Sequence, residues 1–172
     1  GRFIGSIAEA TAPFAPGTAS SYTYNSRALD LPSDYRVRCL AELGPNLMIG
    51  TWIGSNIYEH KTADIFPWDR SADSFSFPIR ISDNGIQAMI TVGNILYFFA
   101  GIEGKCFVTN GSQVKEIFRI PPTIIDLVSG AFLEIFPGAI MLHNGKLLFG
   151  VKENAGDNNQ QVWSYDLDTG AL

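Results

Sequence analysis

LYFFAGIEGKCFVTNGSQV, residues 96 to 114, joins an apolar run to two glycines and then to Asn-Gly between apolar residues. The full apolar run, from Ile95 to Ile102, is too short for a membrane-spanning helix, which needs about 20 residues. A short apolar run bounded by turn residues indicates instead a β-strand that is buried on both faces. Such a strand needs neighbouring strands in a sheet.

The same pattern occurs three times along the chain. Gly44, Gly93 and Gly145 each precede an apolar run, and the three runs read NLMIGTW, NILYFFA and KLLFGV. The period of about 50 residues is typical of repeat architectures built from one sheet per repeat. The stretch that begins at Leu96 is therefore the middle of the second repeat.

Later positions of the repeats also match. A second glycine follows each apolar run, and these glycines are Gly54, Gly104 and Gly156. Next come an apolar residue and an aromatic one, in the pairs Ile57-Tyr58, Cys106-Phe107 and Val162-Trp163. A polar turn follows each pair. Each repeat is thus predicted to contain four antiparallel strands, with Asn110-Gly111 and Asn144-Gly145 forming two-residue hairpins in which both residues have positive φ.

Four antiparallel strands at this period are typical of a β-propeller blade. We predict an all-β fold with second strands near residues 46–52, 94–100 and 146–151. The core is expected to include Met48, Leu96, Phe98 and Leu148. Closed propellers have about four to eight blades, and the third repeat reaches only the start of its expected fourth strand, so we interpret the chain as part of a larger propeller.

The sequence also predicts the organisation of the chain. Residues 1–34 are expected to form an extended arm, because residues 8–34 are rich in Ala, Pro, Ser, Thr and Gly. Blades are expected at about 35–82, 83–121 and 137–172, with an apolar insert at 122–136. Within this insert, Phe132 and Phe136 are candidate interface residues, because apolar side chains on a surface need cover. Packing within the domain is the alternative.

Composition limits the classes of function. The 172 residues are 46% hydrophobic and 17% charged, which suits one globular domain. The net charge is −5 and basic residues are scattered, so specific nucleic-acid binding is not expected. Cys39 and Cys106 are interpreted as buried apolar side chains, with a disulfide or a reactive thiol as alternatives.

No motif indicates an enzyme, a metal site or a cofactor. His60 and His143 fall at different repeat positions, and no G-x-S-x-G or H-E-x-x-H motif is present. The loop at 156–161 lacks the spacing of a calcium site. Trp68-Asp69-Arg70 is the most distinctive segment, placed at the end of the fourth strand of the first repeat. Trp68 and Arg70 are candidate interface residues, and packing between blades is the alternative.

With these repeats and the FPWDRS segment, residues 35–172 resemble the propeller-containing tail and nozzle structural proteins of tailed bacteriophages. The resemblance implies a virion structural protein without catalytic activity, assembled with other virion proteins or with copies of itself. Two alternatives stay open. One is a propeller that binds or cleaves carbohydrate, for which a sialidase-like site would need converging arginines among Arg70, Arg80 and Arg119. The other is a cellular propeller for protein interactions.

Overall fold

The computed structural model describes residues 3–7, 24–54, 62–69, 75–81, 83–121, 133–153 and 160–172. These residues form strands and turns, with no helix among them that is long and apolar enough to cross a membrane. The strands are β1 (Phe3–Ile7), β2 (Tyr24–Asp30), β3 (Tyr35–Leu43), β4 (Asn46–Ile53), β5 (Ala63–Trp68), β6 (Ile79–Ile81), β7 (Ile86–Val92), β8 (Ile95–Ala100), β9 (Lys105–Thr109), β10 (Val114–Arg119), β11 (Leu133–His143), β12 (Lys146–Glu153) and β13 (Gln160–Asp166).

The protein is all-β, with a propeller-like arrangement of three antiparallel sheets. The first sheet has the order β3-β4-β5-β6 and the second β7-β8-β9-β10, while the described part of the third is β11-β12-β13. The second strand of each sheet, at β4, β8 and β12, lies where the apolar runs predicted it. The described residues thus confirm two four-stranded repeats and a third with three strands.

Tight turns join the first two strands of each sheet, because glycine or asparagine occupies the positions of positive φ. Gly44 (φ 57°) and Gly93 (φ 59°) are the first residues of their turns, whereas Gly145 (φ 73°) is the second and follows Asn144 (φ 47°). Asn144-Gly145 is the predicted two-residue hairpin with positive φ at both positions. Equating the three glycines was wrong by one residue, since Asn144 occupies the position of Gly44 and Gly93.

The turn at Asn110-Gly111 differs from its prediction. β9 ends at Thr109 and β10 begins at Val114, so the loop has four residues, and only Gly111 has positive φ there. The reason is local hydrogen bonding. The Asn110 side-chain oxygen accepts from the backbone N–H of Ser112 at 3.1 Å and from its hydroxyl at 2.9 Å, an arrangement that stabilises the longer loop.

Three boundaries also differ from those expected. The third strand of the first repeat is Ala63–Trp68, so Trp68 ends the third strand and not the fourth, and the pair Ile57-Tyr58 lies outside the described residues. β11 begins at Leu133, inside the predicted insert, because Leu133 and Ile135 are buried against the second sheet. In the predicted arm, β1 and β2 pair as an antiparallel ribbon.

The sheets stack through their first strands. β7 packs against β3 on one side and against β11 on the other. Between the first and second sheets lies a core that contains Met48, Leu96 and Phe98, and Phe98 stacks on Phe107 with ring centroids 5.4 Å apart. The predictions for Met48, Leu96 and Phe98 are confirmed. Leu148 is only half-buried, because its side of β12 faces away from the second sheet.

The outer face of the first sheet is covered by the same chain. Leu29 and Leu31 pack there with Ile49, Phe66 and Trp68, and all five side chains are buried. Phe75 adds an edge-to-face contact with Phe66, at 4.6 Å between ring centroids. One end of the stack of sheets is therefore closed by apolar side chains.

Candidate functional site

Two side chains at equivalent bulges tie the first strands of the sheets together. The pairing of β3 with β4 shifts between Val37 and Cys39, which leaves Arg38 as the extra residue. The pairing of β7 with β8 shifts in the same way and leaves Gln87 extra. A β-bulge re-aims its side chain. Both side chains accordingly reach β11 in the third sheet.

Gln87 is fully buried and joins the second sheet to the third. Its amide nitrogen donates to the carbonyl oxygens of Leu133, at 2.9 Å, and of Gly101. Its side-chain oxygen accepts from the backbone N–H of Ile135. The amide thereby satisfies three backbone groups, two of which belong to residues at the start of β11.

Arg38, on β3, joins the first sheet to the third. Its guanidinium donates to the Glu134 carboxylate at 2.7 Å, with both side chains mostly shielded from solvent. The same guanidinium lies 5.8 Å from the centroid of the Trp52 ring. Arg38 and Gln87 thus link β3 and β7 to β11, so the first strands of all three sheets are joined in the propeller-like arrangement.

Other charged groups stabilise individual sheets. Asp64 is fully buried and accepts two hydrogen bonds from Arg80, both at 2.9 Å, and one from the Tyr35 hydroxyl. Burial, and then the Asp64 carboxylate, raise the pKa of Tyr35. In the second sheet, Lys105 pairs with Asp83 at 2.6 Å.

Neither cysteine is placed for chemistry. Cys39 and Cys106 are free and buried, which confirms their interpretation as small apolar side chains. Burial raises the pKa of the Cys39 thiol to about 12 and raises that of Cys106 as well. Across the described residues, no three His, Cys, Asp or Glu side chains converge as a metal site requires. His143 lies exposed beside a turn, and His60 is outside the described part.

The main candidate for an interaction surface is one face of the third sheet, here called the open face. It comprises Met141, Leu148, Gly150 and Val162, which are cross-strand neighbours on the side away from the second sheet. Met141 is 52% exposed and Val162 is 79% exposed. Lys146 and Lys152 lie on the same side of β12, at its two ends. An apolar centre with a charged rim is the usual anatomy of a protein interface.

A second feature is a cleft between the first and second sheets, at the end of the hairpin turns. Its volume is 480 Å³, and it is lined without charged residues. Asn46, Asn94 and Asn110 supply amides, and Phe77 at the rim is 95% exposed. Such a cleft suits a small uncharged ligand.

Of the four predicted interface residues, the structure describes Trp68 and Phe136. Trp68 is buried under Leu29 and Leu31 on the outer face of the first sheet, so its predicted alternative of packing between two blades does not describe its position. Phe136 is half-buried in the bulge of β11. Arg70 and Phe132 lie outside the described residues.

Sequence reasoning missed the open face, although a signal was present. The runs NLMIG and KLLFG share a glycine at their last position, as Gly50 and Gly150, whereas the second repeat has Phe99 there. A strand-interior glycine marks a place where another backbone or side chain comes close.

The chain matches no known protein-family model and no curated protein.

Proposed function

We propose that the chain is a non-enzymatic propeller module of a virion, part of a phage tail or nozzle assembly, and that it acts through protein–protein contacts. The observation that carries this proposal is the open face. The second sheet packs between the first and the third, Leu29 and Leu31 cover the outer face of the first sheet, and the outer face of the third leaves Met141 and Val162 exposed. Exposed apolar surface of this kind is characteristic of an assembly contact.

The charged side chains support a structural role. Asp64, Glu134 and Asp83 would be obvious candidates for acid or base catalysis, yet they pair with Arg80, Arg38 and Lys105. These pairs hold strands and sheets together. A catalytic carboxylate would instead be expected to face a cleft, where substrate reaches it.

The test of the virion assignment is biochemical. Purified particles of a phage that encodes this chain should contain it in a fixed copy number per particle, measured by quantitative mass spectrometry. Antibody labelling in the electron microscope should place it on the tail. Particles that lack the chain after gradient purification would contradict the assignment.

A glycan-binding propeller remains the second candidate, because of the uncharged cleft beside Phe77. A sialidase-like version has little support: Arg80 pairs with Asp64 in the first sheet, and Arg119 pairs with Glu103 and Glu116 in the second. A panel of neutral and sialylated glycans, assayed for both binding and cleavage, separates the candidates. Turnover of any glycan would overturn the non-enzymatic proposal, and binding abolished by Phe77→Ala would favour the second candidate.

A further inference from the structure

β4 of the first sheet and β12 of the third sheet carry similar residues at matching positions. Leu47 and Leu147 are each the second residue of their strand. Leu47 faces the side of the first sheet that Leu29 covers, and Leu147 faces the second sheet. The next residues, Met48 and Leu148, therefore face the opposite side, and so do Gly50 and Gly150. Met48 and Leu148 are both apolar, so the two faces present an apolar residue and a glycine in matching places.

On the first sheet, side chains of β7 from the second sheet fill the space above Gly50. A Cβ atom at Gly50 would lie 2.8 Å from a methyl carbon of Ile86 and 3.1 Å from the terminal methyl of Met89, both on β7. It would also lie 2.8 Å from the Cys39 sulfur. Glycine is thus needed for β7 to pack closely on the first sheet.

On the third sheet, none of the described residues from another sheet occupies the corresponding space. A Cβ atom at Gly150 would approach only Ala139, on the neighbouring strand of the same sheet. Beside it, Val162 pairs with Gly150 from β13, the edge strand of the described sheet, and is 79% exposed. The glycine position that accepts Ile86 and Met89 on the first sheet therefore recurs on the third, where among the described residues only Ala139 of the same sheet lies against it.

We infer that the open face binds a further antiparallel blade, whose first strand places aliphatic or thioether side chains over Gly150 as Ile86 and Met89 lie over Gly50. This inference rests on the proposed assembly function and names the partner of its main surface. The repeated register specifies the occupant, because the same arrangement of residues already holds a blade within this chain. Lys146 and Lys152 flank the contact and remain at its rim.

The test uses the full chain extended after Leu172 by a flexible Gly/Ser linker and a second copy of residues 83–121. Val162→Cys supplies a thiol on the open face, and its rate of alkylation is measured with and without the extension. The native thiols do not interfere, since Cys39 and Cys106 are buried. Phe77→Cys is the matched control, because Phe77 is exposed and lies at the cleft between the first and second sheets.

We expect the extension to slow alkylation at position 162 by at least about tenfold, because tethering gives a high effective concentration, and to leave position 77 unchanged. Met89→Asp in the appended copy alone should restore the fast rate. An unchanged rate at position 162 would overturn the inference, even if the appended segment stays unfolded, since a complementary face is expected to order it.

Protection that rises with the concentration of the unextended chain would show that two open faces pair with each other, and would also overturn the inference. The two proposals fail separately. If the chain is missing from purified virions, the virion assignment fails but the alkylation test of the blade contact still stands. If the alkylation rate is unchanged, the blade contact fails but the virion assignment is still decided by mass spectrometry of the particles.

Discussion

Arg38 and Gln87 occupy the same position in consecutive sheets: each is the extra residue of a β-bulge in a first strand, and each hydrogen-bonds to β11. Arg38 bonds to the Glu134 side chain, while Gln87 bonds to the backbone on either side of it. Two bulges thus converge on three successive residues of the third sheet. The position of β11 depends on these polar contacts as well as on apolar packing.

Gln87→Met should lower the free energy of unfolding by about 3 kcal/mol, because it keeps the side-chain volume but leaves buried backbone groups of Leu133 and Ile135 without partners. Urea denaturation followed by tryptophan fluorescence measures the change. Gln113→Met is the control, since Gln113 is exposed in a loop. Equal midpoints for both variants would show that the Gln87 contacts contribute no net stability.

Gly50→Ala should cost about 2 kcal/mol, because the added methyl group overlaps Ile86 and Cys39 and pushes the first two sheets apart. Gly138→Ala provides the comparison. A Cβ atom at Gly138 meets nothing within 4 Å, so this variant should be as stable as the unaltered chain. Thermal denaturation of the two variants side by side measures the difference, and equal stability would mean that the sheets are not closely packed at Gly50.

Phe98→Ala should destabilise by about 4 kcal/mol, since Phe98 is fully buried and its removal leaves a cavity beside Phe107. Phe77→Ala removes the same ring from a side chain that is 95% exposed and should leave stability unchanged. Chemical denaturation of both variants tests the expectation. A large loss for Phe77→Ala would show that the ring is covered in solution.

The buried thiols predict a loss of stability at alkaline pH. Burial raises the pKa of Cys39 from its ordinary value of 9.0 to about 12, so the unfolded chain releases this proton at lower pH than the folded chain does. The contribution is fully present below pH 9 and is lost as the pH rises toward 12. Each such thiol should cost about 1.4 kcal/mol per pH unit in this range.

Cys39→Ala should therefore show a flatter decline of the unfolding free energy between pH 9 and pH 11 than the unaltered chain, measured by urea titrations at each pH. Comparison with Tyr35→Phe separates the contribution of the tyrosine, whose pKa burial also raises. Identical pH profiles for Cys39→Ala and the unaltered chain would mean that the Cys39 thiol ionises equally easily in both states.

The local signals in the sequence predicted the strands well. Asn144-Gly145 favours a tight hairpin through its own backbone preferences, and the apolar runs that contain Met48 and Phe98 indicate buried second strands without reference to anything distant. The positions of the second strands and the four-strand pattern of the first two sheets were predicted correctly for the same reason, whereas the register of Gly145 was wrong by one residue. Turn type and strand periodicity are properties of a few consecutive residues.

The tertiary structure alone decided which face of each strand meets another sheet. Leu148 resembles Met48 in its run, yet Met48 is buried by β7 while the side of Leu148 is open, because burial depends on what packs above the sheet. The same holds for Gln87 and Arg38, whose bulges arise from pairing between strands and whose partners lie far along the chain. A one-dimensional pattern specifies the period of a strand, but the contacts of its two faces are set only when the sheets stack.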